Sequence, residues 1–193
     1  MKEEKTVFYP YSSWLKQRYG EKVYKLPVNL PVSCPNRCDG HGGCTFCSEK
    51  GTGFESVRQS ASVTEQMQHA RDIVAKRYKA RKFIAYFQNY TNTFMAMELF
   101  KAYLEEAAAF PDVVEISIST RPDCIRTDYL ACLAELQERT HIGINIELGL
   151  QTANYHTLDR VHRGHGLAEY IDAVLAIKRY PFTLCTHLIA NLP

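Results

Sequence analysis

Four cysteines fall within fourteen residues, in the run Cys34-Pro-Asn-Arg-Cys38-Asp-Gly-His-Gly-Gly-Cys44-Thr-Phe-Cys47. Thiolates this dense, in a loop that also carries Gly40, Gly42 and Gly43, are the donor set of a metal or iron–sulfur site. Two chemistries compete for them. Four thiolates can hold zinc tetrahedrally. Zinc knuckles, however, pair two short Cys-x-x-Cys units across a longer spacer, and here only Cys44 and Cys47 form such a unit. Three residues separate Cys34 from Cys38 and five separate Cys38 from Cys44, an awkward spacing for one ion. A cubane held by three thiolates suits the loop better, because one iron stays open to a substrate or cofactor. The glycines let backbone approach the cluster sulfurs.

The other three cysteines, Cys124, Cys132 and Cys185, are scattered. A secreted disulfide scaffold is shorter and spreads its cysteines along the chain. In a reducing compartment clustered thiols bind metal, and isolated ones such as Cys132 and Cys185 read as buried packing residues. The 193 residues suit one domain, and a hydrophobic share of 46% suffices for a core. A net charge of +2 sets up no global field toward nucleic acid or membrane. No apolar run approaches the roughly 20 residues of a membrane span, and the charged start, Met1 to Lys5, is no signal peptide. The expectation is a soluble cytoplasmic protein with no membrane partner.

The elements that must position the cysteines alternate. Lys22 to Val32 reads as a strand broken or made edge-like by Pro27 and Pro31, running into the cysteine loop. Ser62-Val-Thr-Glu65 is a capping box that opens a helix to about Ala80. Strand patterns follow at Phe83 to Phe87, Val113 to Ser119, Ile142 to Leu150 and Phe182 to Ala190. Between them lie helix patterns at Phe94 to Phe110, Thr127 to Arg139, His156 to Val161 and Leu167 to Tyr180. Alternation of this kind predicts a parallel sheet with right-handed crossovers, whose chemistry sits at the C-terminal strand ends. Polar residues recur there: the cysteine loop, then Gln88 to Thr93, then Ser119 to Cys124, then Glu147 to Thr152, then His187. One common site is expected. Residues 1–21, with Phe8, Tyr9, Tyr11, Trp14 and Tyr19, form an N-terminal aromatic segment ahead of a core over 22–193. That segment is placed either across the barrel bottom or along a substrate path.

Several of these residues have two readings. Asn92 or Thr93 suits the N-cap of the helix expected from Phe94. Glu147 lies in an otherwise apolar strand, which is costly unless it is paired or faces a polar cavity; an internal ion pair with Arg121 or Arg163 would satisfy it. His162 and His165 suggest metal by type, without a ligand pattern. The run Lys76 to Lys82 reads as a solvated basic face that complements a helix dipole, or as a contact for RNA phosphates.

Cys44-Thr-Phe-Cys47 resembles the Cys-x-aromatic-Cys ending of the radical S-adenosylmethionine (SAM) enzymes. Together with Cys34-Pro-Asn-Arg, Gly-Gly-Cys44, Ser119-Thr-Arg-Pro-Asp-Cys124 and Glu147-Leu-Gly-Leu-Gln151, it is similar to the YhcC/YtqA-type branch, related to the Elp3-like group. The resemblance covers nearly the whole chain, with its blocks in order. It implies an α/β fold, a partial (β/α) TIM-like barrel of the radical SAM type, with five of about six strands present. It also implies a [4Fe-4S] cluster on Cys34, Cys44 and Cys47 that cleaves SAM reductively to a 5′-deoxyadenosyl radical. Phe46 would then pack near the adenine, unless it is ordinary core. Gln88, Asn92 and Thr93 would hold the methionine amine, and Glu147 and Gln151 the ribose or methionine group. Arg163 would take the SAM carboxylate, unless it is a surface arginine. His187 would be a further SAM contact, unless it is a satisfied core histidine. Ser119 and Arg121 would meet SAM or substrate, and Cys124 would approach the site.

Two departures stand out. Cys38 is extra to the pattern, either a bystander or a replacement for Cys34. The pattern also continues beyond Pro193, with glycine where Asn191 stands, so the chain reads as incomplete at its C-terminus. The implied partners are a tRNA substrate, modified at a wobble uridine, and an electron donor such as flavodoxin or ferredoxin. The rival is a non-catalytic zinc-binding interaction module or a degenerate remnant of the fold.

Overall fold

The computed structural model describes residues 7–38, 40, 42–47 and 61–193. Met1 to Lys5, and Asp39 and His41 of the cysteine loop, therefore lie outside the described residues. The five strands are β1 (Val23–Val28), β2 (Lys82–Phe87), β3 (Val113–Thr120), β4 (Gly143–Gln151) and β5 (Thr183–Leu188). They form one sheet in the order β1-β2-β3-β4-β5, and every pair is parallel. That order never reverses. Right-handed crossovers taken always in one direction put all the connecting helices on one side of the sheet. This is the winding of an open, partial barrel rather than of a doubly wound sheet, which reverses and is covered on both faces.

The helices are α1 (Tyr11–Tyr19), α2 (Pro35–Cys38), α3 (Val63–Tyr78), α4 (Met97–Ala108), α5 (Thr127–Thr140), α6 (Tyr155–Arg160) and α7 (Leu167–Ile177). The strands' alternation of faces divides the molecule. Leu26, Val28, Phe83, Ala85, Phe87, Ile116, Ile118, Ile144, Ile146 and Leu148 point outward and are buried against Met67 of α3, Phe100 and Leu104 of α4, and Tyr129 and Leu133 of α5. Each such burial contributes about 1.5–3 kcal/mol, and Phe100→Ala in this layer would cost about 3–5 kcal/mol. The inner face is polar by contrast: Lys25, Tyr86, Glu115, Ser117, Ser119, Asn145, Glu147, Cys185 and His187 occupy the opposite register positions.

Local chemistry fixes the elements. At α3 the Ser62 hydroxyl accepts from the Glu65 amide at 3.1 Å, and the Glu65 carboxylate accepts from the Ser62 amide at 2.9 Å, as the capping box predicts. Lys76 and Arg77 lie in its last turn, where cations complement the dipole. Pro27 is tolerated because β1 is an edge strand.

Two elements depart from the sequence reading. The helix expected from Phe94 begins at Met97, with Ala96 at its N-cap and no side-chain cap. Asn92 and Thr93 do not cap it, because both are tied to strand ends. The second departure is α1, which closes with Gly20 in the left-handed region. Leu15, Trp14 and Tyr19 pack with Val23, Ile84 and Val114, and the Tyr19 hydroxyl donates to Glu115 at 2.5 Å. The aromatic segment thus plugs the inner face at the N-terminal ends of the strands. On the far flank β5 is an open edge, and Leu167, Ile171 and Leu175 form an exposed stripe along α7. Among the described residues, no helix is long and apolar enough to cross a membrane.

Candidate active site at the C-terminal strand ends

A cavity of about 260 Å³ opens where the C-terminal ends of the strands meet the cysteine loop. Cys34, Cys44, Phe46, Cys47, Gln88, Ser119, Glu147, Gln151, Arg163 and His187 all line it. Of the candidate cofactor contacts, Asn92 and Thr93 do not line it. Fully buried, Asn92 donates through Nδ2 to the carbonyls of Phe87 and Ser119, each at 2.9 Å. It ties the end of β2 to the end of β3 and does not face the cavity. Thr93 does similar work, with its hydroxyl 2.6 Å from that of Thr120 and donating to the Cys124 carbonyl at 2.8 Å.

The cysteine loop is held from several sides. Cys34 precedes the single turn of α2, where the Arg37 and Cys38 amides donate to its carbonyl. Cys44 is buried, and Cys34 is partly so. Cys38 is exposed, turns its sulfur toward the Ser33 hydroxyl at 3.7 Å and does not line the cavity. Asn36 ties the loop to the segment after α6. Its Nδ2 lies 2.5 Å from the His162 carbonyl, 2.9 Å from the Arg163 carbonyl and 3.3 Å from Cys44 Sγ. Gly164 makes this possible: its φ is +75°, and a Cβ there would sit 2.5 Å from Asn36 Oδ1.

Two buried arginines face the sulfurs. Arg163 donates to the Gly149 carbonyl at 2.7 Å and points Nη1 at Cys44 Sγ, 3.6 Å away, while its Nε has no partner among the described residues. A side chain at Gly149 would lie 2.8 Å from Arg163 Nη2. Arg121 is clamped by Asp123, Nε to Oδ1 at 2.9 Å and Nη2 to Oδ2 at 2.7 Å, and its Nη1 reaches Cys34 Sγ at 3.4 Å. Neither arginine pairs with Glu147. The Cys47 thiol donates to Cys44, and with Arg163 and Asn36 alongside, the Cys44 thiol is held below the ordinary thiol range against the cost of burial. Cys47 is held high by the same contact.

Beneath this, Glu147 forms the floor. Its Oε1 accepts from Lys25 and, at 2.7 Å, from Ser117, while Oε2 lies 2.9 Å from His187 Nε2 without hydrogen-bond alignment. The ion-pair reading is right in kind, but its partners are Lys25 and His187. Burial works against the carboxylate, yet His187, Lys25 and Ser117 bring it down to about 2. Contacts with Cys185 and Glu147 raise His187 to about 9. Tyr86, Glu147 and His187 also roof a second cleft of about 560 Å³, walled by Tyr9, Tyr11, Trp14 and Asn145.

Other residues complete the cavity. Asn36 and Arg37, named from sequence only within the Cys34-Pro-Asn-Arg block, and Tyr90 and Thr91, only within the run Gln88 to Thr93, frame or line it, as does Tyr86, which carried no sequence signal. Tyr90 (φ 54°) and Gln151 (φ 74°) sit in the left-handed region, a strain that clusters at functional sites. Cys185, expected to be buried packing, is exposed and lines the second cleft, whereas Cys132 is buried as expected. His165 is buried with Nδ1 on the Gly166 carbonyl, and burial and Arg163 lower it to about 4.

The family model described as Radical SAM superfamily matches residues 29–193. The chain belongs to the radical SAM superfamily. This radical SAM chain is 38% identical over 182 residues to the uncharacterized protein YtqA of Bacillus subtilis (strain 168), covering 93% of this chain and 56% of that protein. It is 37% identical over 181 residues to protein YhcC of Escherichia coli (strain K12), covering 93% and 57%. Identity is 31% over 188 residues to the uncharacterized protein MJ0486 of Methanocaldococcus jannaschii, covering 97% and 58%. The chain thus spans a little over half the length of the curated relatives it matches.

Proposed function

We propose that this chain carries the cofactor-binding core of an enzyme that uses a [4Fe-4S] cluster on Cys34, Cys44 and Cys47 to cleave SAM reductively. The observation that carries the reading is positional. The three sulfurs line one cavity with the polar ends of the strands, and the fourth cysteine, Cys38, faces away. The loop's spacing favours a cluster over zinc, because only Cys44 and Cys47 form the short Cys-x-x-Cys unit that zinc knuckles pair.

The donor set also fits an anionic, multiply hydrogen-bonding cofactor. Arg163 is buried on the cavity wall with its Nε unpartnered among the described residues, which suits a carboxylate. Gln88, Ser119 and Gln151 offer neutral polar contacts on the same wall, and Phe46 offers a flat apolar one. When bound, the cluster and SAM supply one-electron chemistry and a 5′-deoxyadenosyl radical. The protein's residues bind, orient and exclude water. Glu147, fixed from two sides by Lys25 and His187, is a rigid charged floor between the two cavities.

The substrate reading is tRNA, with a wobble uridine as target and a flavodoxin or ferredoxin as electron source. It rests on the Elp3-like resemblance. It is supported by the lower cleft, where Tyr11 and Trp14 stack at 5.6 Å beside Lys25 and Asn145, surfaces of the kind that receive an unstacked base.

Anaerobic reconstitution tests the chemistry. The expected result is iron and sulfide on the chain, broad absorbance near the visible–UV boundary, and 5′-deoxyadenosine from SAM after reduction. Stoichiometric zinc with no SAM cleavage by the full-length gene product would overturn the proposal. Comparing tRNA nucleosides from cells with and without the gene tests the substrate; identical profiles would remove tRNA.

A further inference from the structure

Arg121 is 3% exposed and directs Nη1 at the Cys34 sulfur, as Asn36 and Arg163 approach that of Cys44. A buried guanidinium needs acceptors for its fork. Asp123 takes Nε and Nη2 in a two-point clamp, which fixes the plane of the group and leaves Nη1 directed at Cys34 Sγ, 3.4 Å away. Asp123 itself is three-quarters buried by side chain. The chain Asp123–Arg121–Cys34 is thus a carboxylate that orients a cation that donates to a sulfur. Arrangements of this form, one shell beyond a metal's ligands, set ligand orientation and cluster potential.

We propose that the Arg121–Asp123 pair is a positioning unit that sets the reduction potential of a cluster bound through Cys34. The inference rests on the proposed cluster site. Reduction adds one negative charge to the cluster. A cation and hydrogen-bond donor on the Cys34 sulfur stabilises that charge, in a place where solvent screens little. The Asp123 carboxylate opposes it from one residue farther out. The two side chains therefore pull the potential in opposite directions, a signature that a merely structural ion pair does not give.

The test is an EPR-monitored redox titration of the anaerobically reconstituted protein, with iron content measured on each sample. Arg121→Met removes the donor and leaves Asp123 uncompensated; the cluster should become harder to reduce by about tenfold in the reduced-to-oxidised ratio, about 59 mV for a one-electron couple. Asp123→Asn keeps an acceptor for Nε and removes the opposing charge; the cluster should become easier to reduce. The double variant should fall between the two. Should Arg121→Met fail to load iron, Asp123→Asn still decides by the sign of its shift. A wild-type chain that holds no cluster overturns this inference together with the reading beneath it. A wild-type cluster whose potential moves the same way in both variants, or in neither, overturns this inference alone.

Discussion

Glu147→Gln isolates the charge at the floor of the site. The side chain keeps its shape and its contact with Ser117, and loses its attraction for Lys25 and His187. The wild-type carboxyl falls from an ordinary 4.5 to about 2, which at about 1.4 kcal/mol per pH unit sets a ceiling near 3 kcal/mol. The partners are part-exposed, 28% for Lys25 and 44% for His187, so solvent screening reduces the loss at pH 7 to about 1–2 kcal/mol. With a urea slope of about 2 kcal/mol per molar, the unfolding midpoint should drop by about 0.5–1 M. The pH dependence gives a sharper signature. The contribution of Glu147 is present above its ordinary 4.5 and lost as pH falls through about 2. That of His187 is fully present below 6.5 and lost as pH rises through about 9. Wild type should therefore lose part of its advantage over Glu147→Gln between pH 7 and 9.5, and the His187 ring protons, followed by NMR, should titrate near 9 in wild type and lower in the variant, where the Cys185 contact alone still raises them. A wild-type His187 that titrates near 6.5 would refute the reasoning.

Three further outcomes are expected. Ser62→Ala removes one half of the α3 capping box and should cost about 1 kcal/mol, a fall of about 2–4 °C in Tm by calorimetry, with no change in iron loading. Gly164→Ala puts a side chain in the left-handed region and a Cβ 2.5 Å from Asn36 Oδ1. It should cost at least about 1–2 kcal/mol and speed alkylation of Cys44 by a thiol reagent. Cys38→Ser should retain iron after reconstitution, and Cys44→Ser should lose it, since only the second sulfur faces the cavity; iron per chain decides.

The legible parts of this molecule are those set by local rules. Alternating strand and helix patterns gave the order of elements, and the Ser62–Glu65 box fixed the start of α3 within a residue. Polar residues at strand ends converged because parallel strands share a direction, and so Gln88, Ser119, Glu147 and His187 met at one mouth. What escaped depends on which neighbour arrives. Lys25 sits in a strand whose alternation says only that it faces inward; that it meets Glu147, 122 positions later in the chain, follows from the sheet order. Asn92 has the chemistry of a helix cap, yet two carbonyls at strand ends claim its amide before the helix begins. Cys185 looked like packing, but its register in β5 turns it to the polar inner face, where it lines the second cleft. Asn36 was named only as part of the Cys34-Pro-Asn-Arg block, because its role depends on the distant segment that its amide reaches.

The contacts of Asn36 with the carbonyls of His162 and Arg163 tie two stretches far apart in sequence to one another. Damage therefore does not stay where it starts. Oxidation that swells or displaces the loop at Cys44 would drag the Arg163 segment with it, and a ligand gripping that arginine would in return shelter the sulfurs.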